Sequence, residues 1–330
     1  MRLPALVLAC LLAPSAWAQD RGPVIDMHLH AFGFDEYGNP PPPNEVTGEV
    51  PAALSDADAI RATLAAMKAH RVVLAVASGP LEDVQRWRNA APQRLIGGAY
   101  AGPRNALPDT GTLREQVRTG QIGVIGELGL QYRGQRATDP EVAPYFALAE
   151  ALDVPVAIHT GLGDAGTPYG CCPTFRTSLG NPQLVEDVLV RHPRMRAWLM
   201  HAGYPFLAET KALLYVYPQL YVDIGVLAWA LPRAEFHAYL QALVDAGFGK
   251  RIMFGSDQMV WPEAIGQAIA GVDSAGFLTP AQKRDILYNN AAGFLRLDRA
   301  TIDRHHREAA ETAPAPAQAG AVGQAAGSTP

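Results

Sequence analysis

Short apolar and β-branched runs recur along the chain. Each gives way to a longer segment whose apolar positions return every three or four residues. The runs fall at 24–30, 72–78, 95–101, 124–130, 156–161, 196–202, 220–225 and 252–257. Their near-continuous hydrophobicity suits strands buried on both faces and predicts a parallel sheet covered by helices. Helical periodicity covers 56–69, 81–90, 141–151, 182–191 and 233–246. Ser55 stands immediately before the first of these with Asp58 three residues on, close to a capping box. Asn181-Pro182 opens another with proline in the first turn. Eight strand–helix units predict a closed (β/α)8 TIM barrel in preference to an open doubly wound sheet. No G-x-G-x-x-G follows the first strand, which argues against a dinucleotide fold.

The ends of the chain depart from this alternation. Residues 1–18 read MRLPALVLACLLAPSAWA: one arginine, an apolar run over 3–13, then Ala16-Trp17-Ala18 in a small-x-small arrangement. This predicts a signal peptide, a mature start near Gln19, and export to the periplasm or the medium. A buried N-terminal helix fits less well, because the run is short. Residues 312–330 are dominated by Ala, Pro, Gly and Gln, a composition that buries no core and predicts a disordered tail. Between the ends lie the barrel, expected over 19–298, and a charged C-terminal helix, expected over 299–311. Two long loops, 31–51 with its run of four prolines and 162–180 with the Cys171-Cys172 pair, follow strand C-terminal ends and should cover the active face. The adjacent cysteines are compatible with a vicinal disulfide or with two thiols.

Composition narrows the classes further. Of 330 residues, 48% are hydrophobic and 18% charged, enough apolar material for a large core and too little charge for a disordered chain. The formal charge of −5 comes from 27 basic and 32 acidic residues, with no long basic run, so no nucleic-acid partner is expected. The absence of any apolar stretch of membrane-spanning length argues against a membrane span. Three cysteines exclude a disulfide framework and a four-thiolate zinc site. Nothing in the pattern marks an oligomer interface.

The candidate chemistry sits at the strand ends. The first strand closes with Asp26-Met27-His28-Leu29-His30. Alternation along a strand turns His28 and His30 to one side, as two ligands on one metal would require. The fourth closes around Glu127, the fifth at His159, the sixth at His201 and the eighth at Asp257. A single histidine at a strand end is usually a hydrogen-bonded structural residue, and H-x-H alone is weak. Five such ends converging on the face where barrels catalyse are a stronger signal. Buried ionisable groups need partners or a metal. His70, His192 and His237 read as surface groups on helices, and His305 and His306 as non-ligands in the C-terminal helix.

The set HxH, Glu, His, His, Asp on strands one, four, five, six and eight resembles the amidohydrolase superfamily. The likeness is closest to the amidohydrolase-related branch that contains lactonases and nonoxidative decarboxylases. It is carried by DMHLH, IHTG, NPQLVEDVLVRHPRMRAWLMHAG, LYVDIG, IMFGSD and the closing DILYNNAAGFLRL, over roughly 24–297. GELGL also looks like the GEIGL of TatD-type nucleases. The resemblance implies one or two divalent metals, with zinc the leading choice and iron, manganese or nickel as alternatives. A mononuclear version uses His28, His30, His159 and Asp257 as ligands, with His201 polarising a carbonyl or orienting water. A binuclear version places a second metal on His159 and His201 with Glu127 as the bridge. None of the four lysines ends a predicted strand, so a carbamylated-lysine bridge is not expected. Glu127 could instead pair with Arg133 or orient a ligand histidine.

The implied chemistry is hydrolysis of a C–O or C–N bond in a small-molecule lactone, ester or amide. The metal would lower the pKa of its water toward ~7 and Asp257 would move the proton. Substrate contacts are expected from Arg176, flanked by Thr174 and Thr177, as a carboxylate clamp, and from Tyr204. Tyr37, Tyr169, Phe175 and Trp229 are candidate apolar walls. The alternatives are a nonoxidative decarboxylase of the same branch, a TatD-like phosphoester hydrolase, disfavoured by the lack of a basic groove, and an exported binding protein without turnover.

Overall fold

In the computed structural model, which describes residues 21–312, eight parallel strands follow one another around one sheet in chain order. They are β1 (Val24–His30), β2 (Val72–Gly79), β3 (Leu95–Ala101), β4 (Val124–Leu128), β5 (Val156–His159), β6 (Ala197–Met200), β7 (Leu220–Asp223) and β8 (Ile252–Met253). The ring closes through main-chain bonds after β8: Met27 N–H donates to the Phe254 carbonyl at 2.9 Å and Asp257 N–H to that of His28 at 2.6 Å. The result is the (β/α)8 TIM barrel that the alternation predicts. The expected signal peptide, 1–18, and the expected tail from residue 313 onward lie outside the described residues.

The outer layer consists of α1 (Asp56–Ala69), α2 (Leu81–Ala90), α3 (Thr110–Arg118), α4 (Ala143–Leu152), α5 (Glu186–Arg191), α6 (Leu207–Val216), α7 (Arg233–Leu243) and α8 (Ala264–Asp273). A broken helical segment over 280–294 and α9 (Arg299–Glu311) follow. Local chemistry fixes several starts. The Ser55 hydroxyl oxygen accepts from Asp58 N–H at 3.2 Å, and Asn181 Oδ1 accepts from Gln183 N–H at 2.9 Å, where the proline that follows Asn181 has no donor to satisfy. Along α1 the buried positions are Ile60, Thr63 and Met67, one face of a helix laid on the sheet. Every residue of β1 and β2 is buried, which explains why these strands lack polar alternation.

The late strands are shorter than their apolar runs. After Met200 and Met253 the chain leaves the ladder and enters tight turns. His201, Ala202, Val226, Asp257 and Met259 adopt φ values of 58°, 48°, 56°, 50° and 49°. Left-handed backbone at non-glycine residues costs about 1–3 kcal/mol each and concentrates at functional sites. Here it concentrates at the C-terminal mouth of the barrel.

His70, His192 and His237 are half-buried rather than fully exposed. His305 is buried, its Nδ1 3.1 Å from the Tyr288 hydroxyl, because α9 turns this residue and Ala309 inward. No helix among the described residues is long and apolar enough to cross a membrane.

Candidate metal centre

The alternation of β1 turns His28 and His30 into the barrel mouth, and their Nδ1 atoms are tied down on the far side. His28 Nδ1 lies 3.3 Å from Asp223 Oδ2, and His30 Nδ1 lies 3.3 Å from the Ser78 carbonyl. A proton held on each Nδ1 leaves the Nε2 lone pair facing inward. Those Nε2 atoms sit 3.5 and 3.3 Å from Glu127 Oε2, and 3.6 and 3.0 Å from Asp257 Oδ1. Glu127 follows Gly126, where a Cβ would stand 2.4 Å from that of Ala157, so only glycine lets β4 approach β5 this closely.

His159 brings Nε2 to 3.8 Å from Glu127 Oε1 and to 3.2 Å from the Tyr132 hydroxyl. His201 sits just beyond β6 rather than within it. Its Nδ1 lies 3.0 Å from the Gly225 carbonyl, and its ring is 4.6 Å from that of His159 and 4.9 Å from that of His28. Asp257 likewise reaches the mouth from a turn. The structure thus brings His28, His30, Glu127, His159, His201 and Asp257 into one buried cluster.

Sequence reasoning gave no role to Asp223, at the end of β7. Its fully buried carboxylate accepts from Trp198 Nε1–H at 2.9 Å, Gly225 N–H at 2.8 Å and His201 N–H at 3.1 Å, besides facing His28. The signal was present in LYVDIG, a seventh strand closing on a carboxylate like its neighbours. Arg133 does not pair with Glu127; its guanidinium donates to Gln135 and the Asn105 carbonyl. Nor does Arg176 reach the cavity above the cluster. Its guanidinium is turned back to the Pro173 and Phe175 carbonyls, at 2.9 and 2.6 Å, satisfying its own turn. Tyr204 and Tyr37 do line the cavity. Tyr169 points to solvent, while Phe175 and Trp229 are buried in packing.

The electrostatics follow from crowding of charge in a desolvated place. Burial opposes ionisation of Glu127, but the His28, His30 and His159 imidazoles outweigh it and hold the carboxyl down at about 2. Burial likewise opposes ionisation of Asp257, and His28, His30 and His201 reverse it, so the carboxyl lies well below the usual range. Burial and the neighbouring His201 push His159 down to about 3. Burial works against a charged His28, yet Asp257, Asp223 and Glu127 raise it well above an ordinary imidazole.

The donor set fits a divalent metal. His28, His30 and Asp257 present ligand atoms within 4.8 Å of one another, and so do Glu127, His159 and His201. His28 Nε2, His159 Nδ1 and Asp257 Oδ1 are buried without a hydrogen-bond partner. Three orphaned polar atoms in one cluster are costly unless a further group satisfies them. Imidazole and carboxylate together are ligands for zinc, manganese, iron or nickel.

Comparison with known proteins agrees with this geometry. The Amidohydrolase family model matches residues 25–297. Protein fluG of Emericella nidulans is 25% identical over 111 residues, 34% of this chain; the chain spans 12% of that curated relative's length. An uncharacterised TIM-barrel protein from Bordetella bronchiseptica superposes with a TM-score of 0.61 at 18% identity, over 83% of this chain and 98% of the other. A probable 2-pyrone-4,6-dicarboxylic acid hydrolase from Acinetobacter baumannii, solved with citric acid, gives 0.56 at 15%, over 83% and 99%. A dihydroxybenzoic acid decarboxylase from Polaromonas sp. JS666, solved with manganese and 2-nitroresorcinol, gives 0.56 at 14%, over 84% and 98%. At these identities the superpositions speak for the fold, while the family match also covers the segments that carry the buried cluster. The chain belongs to the Amidohydrolase family.

Proposed function

We propose that this chain is an exported hydrolase that uses a divalent metal, zinc by preference, to cleave a C–O or C–N bond of a small-molecule lactone, ester or amide. The observation that carries the reading is the set of buried, unpartnered ligand atoms beside the ionised Asp257. His28, His30, His159 and Asp257 would hold one metal. Glu127 would either hold a second metal together with His159 and His201 or orient the first set. A cation held there supplies Lewis-acid polarisation of the carbonyl and acidifies water.

The chain's own residues do the rest. Asp257, ionised at neutral pH, accepts a proton from the attacking water. As the water oxygen bonds to the carbonyl carbon and the C–O or C–N bond breaks, the carboxyl returns that proton to the leaving atom. The Nδ1–H of His201 donates to the Gly225 carbonyl, which leaves the Nε2 lone pair to accept from and orient a water or to take a second metal. Tyr204 lines the wall above.

Export is supported by residues 1–18 and by the disulfide that joins Cys171 to Cys172, a bond suited to an oxidising compartment. A second reading, nonoxidative decarboxylation, is favoured by the ring wall of Phe32, Tyr37 and Tyr100, with centroids 5.7–6.2 Å apart, which suits a flat aromatic substrate. The test is turnover of a panel of lactones, esters and amides alongside aromatic acids, by zinc- or manganese-loaded wild type and Asp257→Asn. Hydrolysis lost in the variant supports the proposal. Carbon dioxide release from aromatic acids without hydrolysis would replace it by the second reading.

A further inference from the structure

A cavity of about 870 Å³ stands over the cluster, and its charge is one-sided. Apart from Glu127 and Asp257 at the cluster, its lining carries Asp35, Glu36, Glu45 and Asp164, from the loops after β1 and β5. Arg104 is its only arginine, and no lysine lines it. Its charge is balanced by the Glu36 carboxylate with which its guanidinium pairs. Asp35, Glu45 and Asp164 have no ion pair among the described residues.

The walls between these acids are aromatic: Phe32, Tyr37, Tyr100 and Tyr132. A metal at the floor would offset Glu127 and Asp257 but leave the rim carboxylates unpaired. The floor of the same space is the buried Asp257 carboxylate assigned above to the metal, so a substrate carbonyl that reaches it leaves the rest of the substrate among the rim carboxylates.

We propose that the substrate is a cation, an ammonium-bearing ester, lactone or amide, whose charged end lies among Asp35, Glu45, Asp164 and the tyrosine rings while its carbonyl reaches the floor. This rests on the hydrolytic reading above and names the substrate class for that site. Rim carboxylates attract the ammonium, and the ring faces add cation–π attraction at close range. A carboxylate-bearing analogue meets like charges, and the one guanidinium in the lining already pairs with Glu36.

The test uses the zinc-loaded full chain and three matched alkyl esters that end in ammonium, hydroxyl or carboxylate. The ammonium ester should exceed the carboxylate ester in kcat/KM by about tenfold or more, and added salt should shrink the ratio. In Asp164→Asn/Glu45→Gln the ratio should collapse toward one. Binding of the matched non-hydrolysable ethers, followed by calorimetry, reads the same preference without turnover. Equal or tighter binding of the carboxylate ether overturns the inference. If the ammonium ether binds more tightly but no ester is hydrolysed, the charge assignment stands and the hydrolytic reading falls. If all three esters react alike, the hydrolytic reading stands and the charge assignment falls.

Discussion

Replacing Asp223 by asparagine tests how the cluster is held together. The carboxylate does two things at once: it accepts from Trp198, Gly225 and His201, and it holds the Nδ1 side of His28. An asparagine oxygen can keep Gly225 and His201 on Oδ1, at 2.8 and 3.1 Å. Its amide nitrogen then meets the Trp198 indole N–H, donor against donor, in a fully buried place. Leaving that indole unsatisfied costs about 1–3 kcal/mol of stability. The same amide nitrogen donates to His28 Nδ1, which moves the imidazole proton to Nε2 and blocks the atom that faces Asp257 and Glu127. Loss of a partner that orients a metal-ligating histidine typically weakens metal binding ~10–100-fold, or about 1.4–2.7 kcal/mol. The assay is competition for zinc against a fluorescent chelator, with urea unfolding of the metal-free proteins alongside. Trp198→Phe serves as the control, since it removes the indole donor and leaves Asp223 on His28. Asp223→Asn should lose metal affinity where Trp198→Phe keeps most of it. Equal zinc affinity in wild type and Asp223→Asn would refute the orienting role.

Three further outcomes follow from the geometry. Asp257→Asn should lower turnover about 10²–10⁴-fold while elemental analysis still finds metal, because the proton acceptor is lost and the histidines remain. Gly225→Ala should weaken metal binding, measured by the same competition, since its Cβ would stand 2.5 Å from His28 Nδ1 and force that ring aside. Burial, followed by Arg304 and His306, pushes His305 down to about 4, below the ~6.5 of an unfolded histidine. The neutral ring is therefore favoured in the folded state, so its contribution is complete above pH ~6.5 and is lost as pH falls toward about 4. Urea midpoints across that range should fall more for wild type than for His305→Phe.

The sequence spoke most clearly where local and long-range forces agree. β1 and α1 match their predicted bounds residue for residue. The first is apolar because strands and helices bury both its faces, and the second is fixed by the Ser55 cap. Agreement weakens toward the later strands. There the apolar run continues past the ladder: Phe254 is buried and its carbonyl still bonds to Met27 of β1, but its N–H donates to Ile286 rather than extending the β7–β8 pairing. Periodicity does not distinguish a residue buried in a strand from one buried in the turn beyond it. His201 and Asp257 were legible as chemistry, but their aim comes from left-handed backbone that no pattern announces. Asp223 escaped because a carboxylate that bonds to backbone N–H groups and an indole looks, in sequence, like any strand end. Arg176 was misplaced for the opposite reason: a loop guanidinium can satisfy itself on neighbouring carbonyls, and only the folded turn shows that it does.

The central claim is that His28, His30, Glu127, His159, His201 and Asp257 form a metal centre. Metal content of the purified protein, compared with that of a His28→Ala/His30→Ala variant, tests it most directly. Elemental analysis should find one or two equivalents of a divalent transition metal in wild type, and a loss of at least one in the variant. A Glu127→Ala sample, analysed beside them, should fall from two equivalents to one if Glu127 is a bridge, and stay unchanged if it only orients a ligand. Wild-type protein that takes up no metal even when zinc or manganese is supplied, or a double variant that binds as much as wild type, would contradict the account.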